Sequence, residues 1–204
     1  MYGEHLFEIR PVPWAAPDPD TFDALLIGSA NAIRYGGAGL DQLRGKPVHA
    51  VGRTTAELAK KAGFSVERVG EGGLQSLIDA HRRTGSEAQR YLRLSGAERV
   101  ALDVPEGVGI EERIVYRAAP IGISDELAKR LQSGGIVLLH SAAAARHFAD
   151  QCERLGIPTG ALALAAFGPR VTEGLGGDWA AIRHADSPND TALLALAKDM
   201  CQNH

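Results

Sequence analysis

Four short segments place hydroxyl groups and glycine backbone where anions are commonly held: Ser29-Ala30-Asn31, Gly52-Arg53-Thr54-Thr55, Ser141-Ala142-Ala143 and Gly168-Pro169-Arg170. Each follows a short apolar run and opens a stretch with helical spacing. Each therefore falls at a helix N-terminus, where the first turn leaves backbone N–H groups without intrahelical partners. Those groups and the helix dipole favour negative charge. The chemistry they suit is recognition of an extended, multiply anionic small molecule, held by backbone amides more than by a cluster of arginines. Taken one at a time, the same residues serve as ordinary caps, because a serine oxygen at that position accepts from a backbone N–H.

The elements that must position these turns come from an internal repeat. The segment from Asp23 to Phe64 and the one from Gly134 to Leu175 share one grammar. A continuous apolar run (Ala24 to Ile27; Ile136 to Leu139) ends at Ser29 or Ser141, after which the apolar period lengthens toward 3.6, a buried strand running into a helix. A second strand then ends at Gly52 or Gly168 and feeds another helix. The first copy continues with a strand at Ser65 to Val69, a helix at Leu74 to Arg82 and a strand at Tyr91 to Leu94. The second continues with a strand at Ala181 to His184 and a helix at Thr191 to Met200. Such alternation predicts an α/β fold with parallel sheets and helices on both faces. In open parallel sheets ligands bind beyond the carboxyl ends of the strands, where all four turns fall.

A smaller echo, Phe7-Glu8-Ile9-Arg10 before Pro13 and Ile114-Val115-Tyr116-Arg117 before Pro120, reads as two paired linker strands. Their alternating, proline-terminated pattern suits an extended connection better than a core strand. The expected organisation is a first linker strand at 1–14, a first α/β lobe at 15–111, a second linker strand at 112–120 and a second α/β lobe at 121–204.

Composition narrows the function. The chain has 204 residues, a formal charge of −3 and interspersed acidic and basic residues, which gives no electrostatic footprint for nucleic acid or anionic lipid. Cys152 and Cys201 belong to no C-x-x-C pair or zinc spacing and read as reduced cytosolic thiols. The charged first thirty residues contain no signal core, and the apolar runs are too short for a bilayer, so a soluble cytoplasmic protein is expected. No G-x-G-x-x-G follows a strand, which disfavours a nucleotide enzyme. Gly70-Glu71-Gly72-Gly73 lacks the lysine of a phosphate loop and reads as a turn. His140 beside Ser141 has no nucleophile elbow around it, and His147, Asp150 and Cys152 on one helix read as surface and core.

The order Ser-x-x-Ala at Ser29, Gly-x-x-Thr-Ala at Gly52 and Val-Tyr-Arg at Tyr116, with the strand and turn grammar repeated in a second lobe, resembles the uroporphyrinogen-III synthase family from roughly Leu6 to Leu196. The resemblance implies two Rossmann-like or flavodoxin-like lobes with parallel sheets, joined by a two-stranded linker. It implies hydroxymethylbilane as substrate, held in the cleft between the lobes, and its cyclisation to uroporphyrinogen III by a monomeric lyase. The terminal hydroxymethyl group leaves as water, the last pyrrole is attacked, and a spiro intermediate reopens and recloses with that ring inverted. No metal or organic cofactor is implied. Tyr116 matches the family's tyrosine, whose phenol assists the departing hydroxyl. Substrate binding falls to Ser29, Ala30, Asn31, Gly52, Arg53, Thr54, Thr55, Ser141, Ala142, Gly168, Pro169 and Arg170. The family's first strand and helix, with their Thr-Arg-Pro signature, have no counterpart before Leu6, so one such unit is expected to be missing. Gly28 and His140 stand where threonine is common, and Val171 stands opposite Thr55. A different class of function, a non-catalytic two-lobe binder of an anionic metabolite, is the alternative.

Overall fold

The computed structural model describes residues 2–83 and 89–202. The chain forms two compact units, a central one from Ile9–Ala119 and a terminal one that combines Met1–Glu8 with Pro120–His204.

The central unit is built on a six-stranded sheet of order β1-β6-β5-β2-β3-β4. Its members are β1 (Phe7–Pro11), β2 (Ala24–Ile27), β3 (Val48–Val51), β4 (Val66–Gly70), β5 (Gln89–Gly96) and β6 (Val108–Pro120). Strands β2 to β6 pair in parallel. Hydrogen bonds from Ile121 N–H to Leu6 O and from Val12 N–H to Val115 O run in opposite order along the chain, so β1 and β6 are antiparallel. The run Ala24-Leu25-Leu26-Ile27 is wholly buried because both faces of β2 are covered. Leu25 and Ile27 pack with Ala32 and Ile33 of α1 (Ala30–Tyr35) and with Ala56 and Ala59 of α2 (Arg53–Lys61). Ala24 and Leu26 face the other way, onto Ile78 of α3 (Leu74–Arg83) and Tyr91. The period of two in the strand thus feeds two separate cores.

Strand β6 is longer than the linker pattern predicts. Its first half forms a ladder with β5, and Val115 is fully buried. The ladder covers Val108 to Tyr116, and Arg117 to Pro120 extend past it. Glu112 lies opposite Arg93 of β5 and pairs with it at 2.6 Å. The parallel crossover from β5 to β6 contains no helix; residues 97–107 cross the sheet face instead, and Leu102 packs on the cluster of Ala24, Leu26 and Tyr91.

The terminal unit has a three-stranded parallel sheet of order β7-β8-β9, from Gly135–Leu139, Leu162–Ala166 and Ala181–His184. Central β8 is buried throughout. One face packs on Leu131 of α4 (Asp125–Leu131) and on Phe148 and Cys152 of α5 (Ala142–Leu155). The other packs on Leu193 and Met200 of α7 (Asp190–Gln202). The helix expected after Gly168 is a single turn, α6 (Pro169–Thr172), which gives way to a segment containing Gly174, Gly176 and Gly177.

Candidate functional site

A cavity of about 430 Å³ in the central unit opens at the carboxyl ends of the parallel strands β2, β3 and β5, beside the N-terminus of α3. Gly28 and Ser29 continue β2 into its wall, Val51 ends β3, and Leu94 to Gly96 end β5. Tyr116 enters from β6, where a register shift sets it opposite Gly96. A Cβ on Gly96 would lie 2.7 Å from the Tyr116 ring, so this close approach needs glycine. Tyr116 is half-buried, and among the described residues its hydroxyl makes no hydrogen bond. A phenol held on a glycine shelf with its O–H unengaged can donate a proton or hydrogen bond to a group in the cavity.

Ser29 lines this cavity with Tyr116, and its Oγ accepts from Asn31 N–H at 3.2 Å, so it caps α1 as well. Ala30 and Asn31 lie behind it; Asn31 Oδ1 accepts from Arg34. Gly52 holds φ +77°, which turns the chain from β3 into α2, and its own N–H donates to Gly70 O at 2.9 Å. Arg53 and Thr54 are exposed on the first turn of α2, whereas Thr55 is buried against the core. None of Gly52 to Thr55 lines the cavity.

In the terminal unit Ser141 Oγ accepts from Ala144 N–H at 3.2 Å and caps α5, with Ala142 half-buried behind it. Gly168 is extended, Pro169 removes one N–H from the short α6, and Arg170 is exposed. A cavity of about 580 Å³ lies along β7, lined by Ile136, Leu139, His140 and Leu193 among others, and these turn residues are not part of its wall. His140 turns to Asp190, 3.2 Å away, and packs edge-on against Phe167, so it forms no pair with Ser141. His147 Nε2–H donates to Ile121 O at 2.8 Å. Cys152 is buried, which pushes its thiol up to about 11. Among the described residues no group of three or more His, Cys, Asp or Glu could hold a metal ion.

Several cavity residues escaped the sequence reading: Gly72 to Gln75 at the start of α3, Arg93, Ser95, and Glu98 to Leu102 in the crossover. Arg93 carried a signal, since a charge inside the apolar run Tyr91 to Leu94 must be paired or functional. Nη1 donates to Glu112 at 2.6 Å and Nη2 to Val100 O at 2.9 Å. Arg99 Nε donates to the other oxygen of Glu112 at 2.8 Å. Two arginines thus share one carboxylate at the cavity wall.

A family model described as "Uroporphyrinogen-III synthase HemD" matches residues 6–195. The chain belongs to the uroporphyrinogen-III synthase family. Its activity is that family's ring-inverting cyclisation of hydroxymethylbilane to uroporphyrinogen III, with loss of water, in tetrapyrrole biosynthesis. Among solved structures, a uroporphyrinogen-III synthetase from Helicobacter pylori 26695 superposes with a TM-score of 0.62 at 20% identity, over 96% of this chain and 91% of that one. That likeness establishes a two-lobe α/β fold. A Thermus thermophilus uroporphyrinogen III synthase aligns with a TM-score of 0.41 at 16% identity, over 96% and 86% of the two chains. No curated protein matches. Gly28, where the family commonly has threonine, lies under α3: a Cβ there would meet Leu74 Cδ1 at 3.1 Å.

Proposed function

We propose that the central-unit cavity receives the reacting end of hydroxymethylbilane and that Tyr116 is the acid that assists loss of its hydroxyl. The observation that carries this reading is the placement of the Tyr116 phenol beside Ser29 in one cavity at the strands' carboxyl ends. In the first step the phenol O–H donates to the departing hydroxyl, the C–O bond breaks, and water leaves an azafulvene cation. The last pyrrole attacks that cation, and the spiro product fragments and recloses inverted, returning its surplus proton. The substrate supplies the electron pairs, so the protein's work is orientation of a flexible chain and assistance to the leaving group.

The acetate and propionate arms are assigned to the helix N-termini at Ser29-Ala30-Asn31, Arg53-Thr54, Ser141-Ala142 and Arg170, where free N–H groups favour anions. Gly52, Thr55, Gly168 and Pro169 shape these turns. The protein is assigned to the cytoplasm as a monomer. Two free cysteines, Cys152 and Cys201, fit a reducing compartment, and among the described residues no helix is long and apolar enough to cross a membrane.

The deciding experiment supplies fresh hydroxymethylbilane to the purified chain, oxidises the products and separates the uroporphyrin isomers. A type III excess over the protein-free control supports the reading. Type I alone, the spontaneous product, overturns it.

A further inference from the structure

On the α3 side of the sheet, Tyr91, Arg93 and Ser95 alternate with the inward-facing Leu92 and Leu94, so Arg93 and Ser95 share one wall of the cavity. Both are more than nine-tenths buried. Ser95 Oγ has no hydrogen-bond partner, and neither does Arg93 Nε. Leaving buried donors unpaired is costly, and a fold retains them chiefly where something else uses them.

The geometry of Arg93 specifies that user. Nε and Nη2 form one edge of the planar guanidinium, the edge with which Arg44 and Arg130 each grip a carboxylate in this protein. In Arg93 the Nη2 end holds a neutral carbonyl, that of Val100, and the Nε end holds nothing. A carboxylate satisfies both ends, through one oxygen as at Arg44 and Arg130 or through two, with charge-assisted bonds that a neutral carbonyl does not supply. The opposite edge is already engaged by Glu112, which also neutralises one charge of the Arg93–Arg99 pair and leaves the other uncompensated in the wall. Glu98, the remaining acid of the lining, is exposed and screened. The start of α3 adds N–H groups at Gly73 to Gln75 to the same cavity, set there by positive φ at Gly72 and Gly73.

We propose that this wall is a carboxylate subsite, in which Ser95 Oγ–H and the Nε–Nη2 edge of Arg93 hold one acetate or propionate arm of the substrate beside the N-terminus of α3. It rests on the reading of the cavity as the place where hydroxymethylbilane binds. Entry of the arm displaces Val100 O from Nη2; Val100 is exposed and lies between the two ties that hold the crossover, Ala97 N–H to Tyr116 O and Asp103 to the Gln75 side chain.

The test compares wild type with Ser95→Ala in two assays: isomer-resolved turnover of hydroxymethylbilane, and fluorescence titration with uroporphyrin III, a stable ligand with the same acidic arms. Loss of one hydrogen bond to a charged group should raise KM and the uroporphyrin Kd roughly tenfold, with kcat within about twofold. Melting should stay level or rise, because the lost hydroxyl has no partner in the free protein. If melting falls, Ser95→Thr, which keeps the hydroxyl, must restore KM; failure to do so overturns the subsite. Wild-type production of type III with unchanged KM and Kd in Ser95→Ala overturns the subsite and leaves the cyclase reading intact. Type I alone from wild type, with weakened uroporphyrin binding in Ser95→Ala, does the reverse. No binding and no turnover by wild type sinks both.

Discussion

The family resemblance in Val-Tyr-Arg singled out Tyr116 as the proposed acid, but its setting in the fold was not visible there. That depends on Gly96, a residue on another strand, whose missing side chain leaves room for the ring. Losing a positioned acid commonly slows a reaction by two or more orders of magnitude, although an easily lost leaving group reduces the need. Tyr116→Phe keeps the ring on Gly96 and removes the O–H alone. We expect kcat to fall at least several-fold with KM little changed, measured as initial rates of type III formation; an unaltered kcat would remove Tyr116 from the chemistry. Arg93 and Ser95 went unread for a complementary reason. A strand's alternation tells which residues share a face, but the partner across that face, Glu112, lies on another strand. Pairing is a property of the folded sheet, and a single chain segment does not display it.

The strands and helices themselves were largely readable, since continuous apolar runs such as Ala24 to Ile27 and serine caps such as Ser29 are local signals. The crossover 97–107 and the one-turn α6 were not, because packing, not periodicity, decides them. Another local device escaped notice at the start of the chain. Ser124 caps α4 by accepting from Leu127 N–H at 3.1 Å, and its own N–H donates to Glu4 at 3.0 Å while its hydroxyl donates to the other Glu4 oxygen. Hydrogen bonding from the Ser124 side chain holds the Glu4 carboxyl below its ordinary 4.5. A folded-state pKa below the unfolded one contributes stability that is complete above the unfolded value and disappears as pH falls through the folded one. Glu4→Gln should therefore be less stable than wild type at pH 7 by about 1 kcal/mol or less, given the exposure of this contact. That gap should close as pH drops below 4.5. Urea melts at pH 7 and pH 3 check it: a gap of equal size at both would show that the Glu4 charge is not what matters.

At the scale of the whole molecule, the chain's own path divides the two units unequally. The central unit is one continuous stretch, Ile9–Ala119, and the terminal unit draws on both ends. Continuity matters for autonomous folding. The central stretch keeps both of its cores, one on each face of its sheet, and the parallel ladders that join β2 to β6. A stretch of this length buries enough surface to fold alone. The terminal stretch from Pro120, by contrast, loses Leu6, which packs on its core and accepts from Ile121 N–H, and loses the Glu4 contact to Ser124. Expressed separately, residues 9–119 should melt in a single cooperative transition by circular dichroism. Residues 120–204 should melt at a lower temperature than the same stretch supplied with a peptide of residues 1–8. A broad, non-cooperative melt of 9–119 would mean that its two cores do not suffice, and no rise on adding the peptide would mean that Leu6 and Glu4 contribute nothing the terminal sheet needs.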